Sequence, residues 1–208
     1  MLSFFEHLKE ISLMRQAIAA GFPDYLHQDV YRVLDLMERE ASIDFGLFHT
    51  DSAVFFRLSD GQQVAVPDRI YLEDAGSAPL IGIQQLIFHC IFTRSQDGYC
   101  RERHLLALFR QEIPEWAFPY LLKLSDDYVT EIVQALYRNL QQHPLPTLPA
   151  FCRNNLQQFL RCHDRMIGYW NEFYRFDCPH YRDYVGKKLF SQQLGYQKNM
   201  EKSRISNK

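Results

Sequence analysis

The chain contains no glycine-rich phosphate loop, no G-x-S-x-G elbow and no H-E-x-x-H helix, so the motif-borne nucleotide, serine-hydrolase and zincin chemistries have no signature in it. No apolar run approaches the roughly 20 residues that span a bilayer. The first residues, MLSFFEHLKEISLMRQ, carry no basic leader ahead of a long apolar core, and a cytoplasmic protein with no membrane partner is expected. The five cysteines, Cys90, Cys100, Cys152, Cys162 and Cys178, are scattered and odd in number, which suits reduced thiols used as small apolar residues. A net charge of −2 leaves no overall attraction to nucleic acid or anionic lipid. The basic residues are nevertheless uneven: Lys187, Lys188, Lys198, Lys202, Arg204 and Lys208 crowd the last stretch.

What is present is a hydrophobic fraction of 47% in 208 residues, enough for one domain, or a small domain with an appendage. Residues 3–20 place Phe4, Leu8, Ile11 and Ile18 at helical spacing and end at Gly21. Pro23-Asp24 opens a second helix with Leu26, Val30, Val33, Leu34 and Met37 on one face. The period then changes. Val54, Phe56 and Leu58 alternate with Phe55 and Arg57, Asp60-Gly61 supplies a two-residue turn, and Val64 and Val66 resume the alternation, predicting a β-hairpin. Residues 69–72 could add a short third strand.

From Pro79 the helical pattern returns with Leu80, Ile83, Leu86, Ile87, Cys90 and Ile91. Residues 97–140 then read as helix, turn, helix, turn, helix. In the last of these, Val129, Ile132, Val133, Leu136 and Leu140 fall on one face. Asp97-Gly98 and Asp126-Asp127 mark helix starts, since a carboxylate accepts from unpaired first-turn amides, and Pro114 suits a first turn. Asp97, Tyr99 and Glu102 recur about 29 residues later as Asp126, Tyr128 and Glu131, a period in the range of helical solenoids. A further helix is expected over about 150–169, followed by the aromatic segment YWNEFYRFDCPHYRDY.

These residues resemble the short bacterial type of HEAT repeat, whose second helix reads Asp-x-x-Val-Arg-x-x-Ala-x-x-Ala-Leu. Asp97, Arg101, Ala107 and Leu108 stand on that pattern, with Cys100 in place of Val and His104 in place of the first Ala. The next copy has Asp126, Val129 and Val133, but Thr130 where Arg belongs and Leu136-Tyr137 where Ala-Leu belongs. The resemblance implies a mainly α fold: a short α-α solenoid of HEAT-like helix hairpins, with an N-terminal helical pair and a small β-hairpin. It further implies structural roles for Asp97, Arg101, Asp126 and Asp127, with Arg101 reaching Asp126 or Asp127 between neighbouring repeats. Three segments are expected: the helix pair and hairpin over 1–76, HEAT-like repeats with an aromatic cap over 77–185, and a basic, flexible tail over 186–208.

The function this implies is non-catalytic, a protein-interaction or assembly module with a protein partner. Its surface is expected to use Glu102, Arg103, Arg110, Glu131, Arg138, Trp170 and Arg175. An alternative is nucleic-acid binding or DNA processing, with Trp170, Tyr174, Arg175, Tyr181 and Arg182 for stacking and the basic tail for phosphates; aromatics at helical spacing such as Tyr169, Phe173 and Phe176 more often simply cap a core, and that is the reading preferred for them. A second alternative is a small-molecule enzyme with a dispersed site between hairpin and helices. Cys162-His163 with Cys178-Pro179-His180 offer zinc-type ligands but not the paired spacing of a structural site, so neither metal nor cofactor is expected. His104 sits in an apolar helix beside Arg101 and Arg103, with no nucleophile or carboxylate that the sequence assigns to it. Trp116 reads as packing.

Overall fold

The computed structural model describes residues 4–41, 53–72, 74 and 80–204. The fold is mainly helical with one small antiparallel sheet, and none of the described helices is long and apolar enough to cross a membrane. The chain divides into two compact units, Met1–Trp116 and Ala117–Lys208, a boundary placed differently from the three segments expected.

In the first unit, α1 (Phe4–Ala19) and α2 (His27–Ala41) form the expected helical pair. Ile18 packs from α1, and Val30, Val33, Leu34 and Met37 from α2, all buried. Ile11 is half-buried, while the side chains of Phe4 and Leu8 lie outside the described residues. Arg15 joins the two helices by donating to Asp35 at 2.5 Å and Glu38 at 2.8 Å. Strands β1 (Ala53–Arg57) and β2 (Gln63–Pro67) pair with Val54 opposite Val66 and Phe56 opposite Val64. The turn is longer than the two residues expected. Leu58 N–H donates to Gln62 O and Gly61 N–H to Leu58 O, so Ser59, Asp60 and Gly61 form a three-residue loop closed by Gly61 at φ +89. This is the type I turn plus left-handed residue that such loops use.

No third strand extends this sheet among the described residues. Instead, Ile70 makes a single parallel bridge to Ser95, donating to Arg94 O and accepting from Gln96 N–H. Arg94 is buried, and its guanidinium donates to the carbonyls of Pro67 and Asp68. The chain leaving β2 is thereby pinned to the turn between α3 (Ile83–Phe92) and α4 (Gly98–Leu108). As the run of apolar residues predicts, α3 is buried nearly all round, from Leu86 to Phe92. Asp97 caps α4 by accepting from Tyr99 N–H at 3.0 Å. Arg101 is fully buried and donates to the carbonyls of Ser95 and Gln96.

The second unit contains α5 (Phe118–Leu124), α6 (Thr130–Gln142), α7 (Leu148–Asn154), α8 (Leu156–Tyr169) and α9 (Val185–Lys188). Of the face read for α6, Ile132, Val133, Leu136 and Leu140 are buried, whereas Val129 is half-buried at the N-cap. Its start is built by Asp127, which accepts from Val129 N–H, and by the Tyr174 hydroxyl, which accepts from Thr130 N–H. Asp126 is sequestered and receives both Nε and a terminal nitrogen of Arg165 at 2.8 Å. The single helix expected over 150–169 is broken at Asn155, whose φ of −113 and ψ of 40 leave the helical region.

Over the described residues 186–204, the flexible tail expected from Gly186 onward is instead packed structure. Leu189, Phe190 and Leu194 are buried, Phe190 completely. Ordinary helical spacing does not mark them, because residues Leu189–Gln193 form a π-helical turn, which is wound wider than 3.6 residues per turn. Phe190 stacks on Phe159 at 5.4 Å, and Tyr196 stacks on His163 at 3.8 Å. Gly186 admits this approach, since a Cβ there would meet Tyr184 and Met166 below 3 Å. Lys208 lies outside the described residues.

His163 makes this unit acid-sensitive. Its Nδ1 is buried without a partner among the described residues, and burial lowers its pKa, offset in part by Asp164 and Glu201 and reinforced by Lys187. The folded state therefore binds the proton less well than the unfolded one. The stability tied to His163 is complete above about pH 6.5 and is lost as pH falls below that value. We expect the urea midpoint, followed by Trp170 fluorescence in a Trp116→Phe background, to fall between pH 7.5 and 5.5, and His163→Phe to flatten that slope.

Candidate functional site

The polar chemistry of the first unit converges on one face of the α3 and α4 pair. Gln85, Phe88 and His89 recur at i, i+3 and i+4 on α3. Arg103, His104 and Ala107, continued by Arg110 and Gln111 just past the end of α4, recur at i, i+1, i+4, i+7 and i+8. Helical spacing puts each set on a single face. Together with Asp74 they line a cavity of about 510 Å³, a volume suited to a small metabolite.

At its floor is a chain of hydrogen bonds. His104 Nε2 lies 3.0 Å from Asp74 Oδ2, and His104 Nδ1 lies 2.9 Å from His89 Nδ1. A carboxylate only accepts, so Nε2–H of His104 donates to Asp74; the Nδ1 of a neutral His104 then accepts from His89 Nδ1–H. His89 is left with an unprotonated Nε2. Burial pushes the His89 pKa down to about 4, and the neighbouring His104 pushes the same way, against the opposing pull of Asp74. His104 is lowered by burial, with the Asp74 hydrogen bond opposing. Phe92 stacks on His104 at 5.0 Å, and Phe88 packs against both imidazoles. The rings are thus held by aromatic walls and have no free rotation. Arg103 also donates to Asp74.

Cys100 lies one turn before His104 on α4, and the donor atoms of Asp74, Cys100 and His104 all fall within 4.8 Å of one another. Burial raises the Cys100 thiol pKa, with Ser95 hydrogen bonding opposing. It is a thiol at neutral pH, which removes it as an activated nucleophile.

Of the surface residues expected from sequence, Arg103 and Arg110 line this cavity and Glu102 does not. Glu131 and Arg138 are exposed on α6. Trp170 donates Nε1–H to Cys178 O at 2.9 Å, and Arg175 sits over its ring at 6.0 Å, so these two are engaged with each other. Asp97 caps α4, Arg101 donates to the Ser95 and Gln96 carbonyls, Asp126 receives Arg165, and Asp127 accepts from Val129 N–H. Cys162, His163, Cys178 and His180 do not gather: His163 stacks on Tyr196, and the Cys178 thiol faces its neighbour's carbonyl, His180 O, at 3.7 Å.

Asp74, His89 and Cys100 are not among the site residues expected from sequence. Cys100-x-x-x-His104 was a visible signal, since i and i+4 share a helix face; the carboxylate it lacked comes from the segment after β2. No family model matches the chain, and neither does any curated protein or solved structure.

Proposed function

We propose that the chain binds a small anionic molecule in the α3–α4 cavity, in line with the small-molecule alternative but with the site on this helix pair and not against the hairpin. The observation that carries this reading is Arg110. Arg103 is matched by Asp74, burial keeps both histidines below their ordinary pKa and so uncharged at pH 7, and Arg110 forms no ion pair among the described residues. Among those residues the lining therefore presents one guanidinium without a carboxylate, a planar fork suited to a carboxylate or phosphate. The amides of Gln85 and Gln111 and the free Nε2 of His89 supply acceptors and donors around it.

The test is thermal unfolding of the full chain with inorganic phosphate and with succinate. At least one should raise Tm in proportion to the logarithm of its concentration, and Arg110→Gln should weaken that ligand at least about tenfold, the scale of a lost charge-assisted pair. A Tm indifferent to both anions would remove the reading.

A second proposal retains the HEAT-like interaction module. It draws on Phe173 and Phe176, the latter fully exposed, since aromatic side chains are enriched at the cores of protein interfaces. Phe176→Ser would then abolish capture of a partner by the full chain without lowering its Tm.

A further inference from the structure

We propose that Asp74, Cys100 and His104 form a binding site for a zinc-class divalent cation, with His89 as the outer partner of His104. The inference shares Asp74 and His104 with the anion cavity but stands without it, because no organic ligand is needed.

The ligand geometry comes from two sources. Cys100 and His104 project from the same face of α4 one turn apart, as i and i+4 residues must. Asp74 arrives on the chain that Arg94 and the Ile70–Ser95 bridge tie to the α3–α4 turn. The three donor atoms already lie within 4.8 Å of one another. In a tetrahedral zinc site, ligand atoms at about 2.0–2.3 Å from the metal are about 3.3–3.6 Å apart. His104 Nε2 and Asp74 Oδ2, at 3.0 Å, stand a few tenths of an ångström inside that spacing, and a pair at the 4.8 Å limit needs to close by about 1.2 Å to reach it.

The donor set selects the metal class. A thiolate with an imidazole and one carboxylate suits zinc or cobalt, whereas magnesium and calcium take all-oxygen sites. Charge balances too: thiolate and carboxylate together neutralise a dication where Cys100 and His104 are buried. The outer shell is in place as well. A histidine bound to metal through Nε2 donates Nδ1–H to a fixed acceptor, and His89 Nδ1 stands at 2.9 Å. Arg103 holds the carboxylate of Asp74. Binding therefore reverses the direction of the His104–His89 hydrogen bond. His104 gives up its Nε2 proton and takes one at Nδ1 from His89, which regains one at Nε2 from solvent. The net loss is the Cys100 thiol proton, one per metal bound. Three protein ligands leave a fourth position for water or for an anion.

The test is titration of the reduced, full-length protein with cobalt chloride. One equivalent should produce a thiolate-to-cobalt charge-transfer band in the near ultraviolet and visible bands of tetrahedral cobalt, both erased by zinc chloride. Cys100→Ser should lose the charge-transfer band, whereas Cys178→Ser, which replaces the one half-buried cysteine, should keep it. His89→Gln should keep the band with affinity lowered about ten- to a hundredfold. No band in the unmodified protein, or a band that survives Cys100→Ser, overturns the proposal. Where circular dichroism shows Cys100→Ser unfolded, Asp74→Asn decides: zinc affinity against a chromophoric chelator should fall at least about tenfold, and an unchanged affinity overturns the site. Arg110→Gln keeps the cobalt spectrum, so failure of the anion cavity and failure of the metal site read separately.

Discussion

Phe190→Ala is expected to destabilise the C-terminal unit by about 3–5 kcal/mol, the range for deleting a buried phenylalanine and leaving its cavity. Phe190 is completely buried and meets Phe159 at 5.4 Å and His163 at 5.2 Å. It sits in a π-helical turn between Leu189 and Leu194, both also buried, so collapse around the missing ring would have to move backbone already fixed on either side. Urea denaturation followed by Trp170 fluorescence, with Trp116 replaced by Phe, reads this unit alone. A cost below about 1 kcal/mol would place residues 186–204 outside the core, against the burial of Phe190. The result bears directly on function. Lys187, Lys188, Lys198 and Lys202 are carried on ordered short helices, so deleting the tail to test for nucleic-acid binding would unfold the unit. Exchange of those lysines for glutamine, read across a salt series, is the experiment that separates charge from folding.

How far the sequence disclosed this molecule depended on period. Where the inward face recurs at 3.6 residues, as on α2 and α6, burial followed the pattern residue by residue: Val30, Val33, Leu34 and Met37, then Ile132, Val133, Leu136 and Leu140. Where it recurs at another period, as in the π-helical turn at Leu189–Gln193, the same apolar residues looked like a polar tail. The hairpin was readable from Val54 to Val66, but the loop type was not. Asp60-Gly61 also fits a two-residue turn, and only the Leu58–Gln62 pairing decides for three.

The site was legible on one side only. Cys100 and His104 are the two positions at which residues 97–108 differ from the pattern they resemble, and both lie in the proposed cation cluster. A substitution of polar, metal-capable residues at two core positions one turn apart is a local signal. Asp74 and His89 were not recoverable from it. The contacts that bring them, Ile70 to Ser95 and Arg94 to the carbonyls of Pro67 and Asp68, join segments whose pairing no local pattern announces. Irregular backbone crosses to a helix turn there, and period-based reading sees only regular elements.

Arg101→Met is expected to destabilise the N-terminal unit by about 2–4 kcal/mol and to disturb the cluster above it. The resemblance assigned Arg101 to a ladder between repeats, and the structure gives its guanidinium a job inside its own turn. It donates to Ser95 O at 2.9 Å and Gln96 O at 2.8 Å while wholly buried. Methionine keeps most of the apolar stem, so the packing loss is small; what is lost is the donor. The buried Ser95 carbonyl left without a donor costs about 1–3 kcal/mol, and the half-buried Gln96 contact, partly replaced by water, adds a smaller loss that completes the range expected. The same turn sets the Asp97 cap of α4 and the bridge to Ile70, which together place Cys100, His104 and Asp74. Arg101→Met should therefore lower both Tm and cobalt affinity, whereas Arg101→Lys, which keeps a charged donor that reaches one carbonyl, should recover part of each. A variant of normal stability with unchanged cobalt binding would mean that the turn is held by its backbone alone, and that the buried guanidinium serves something other than the α3–α4 corner.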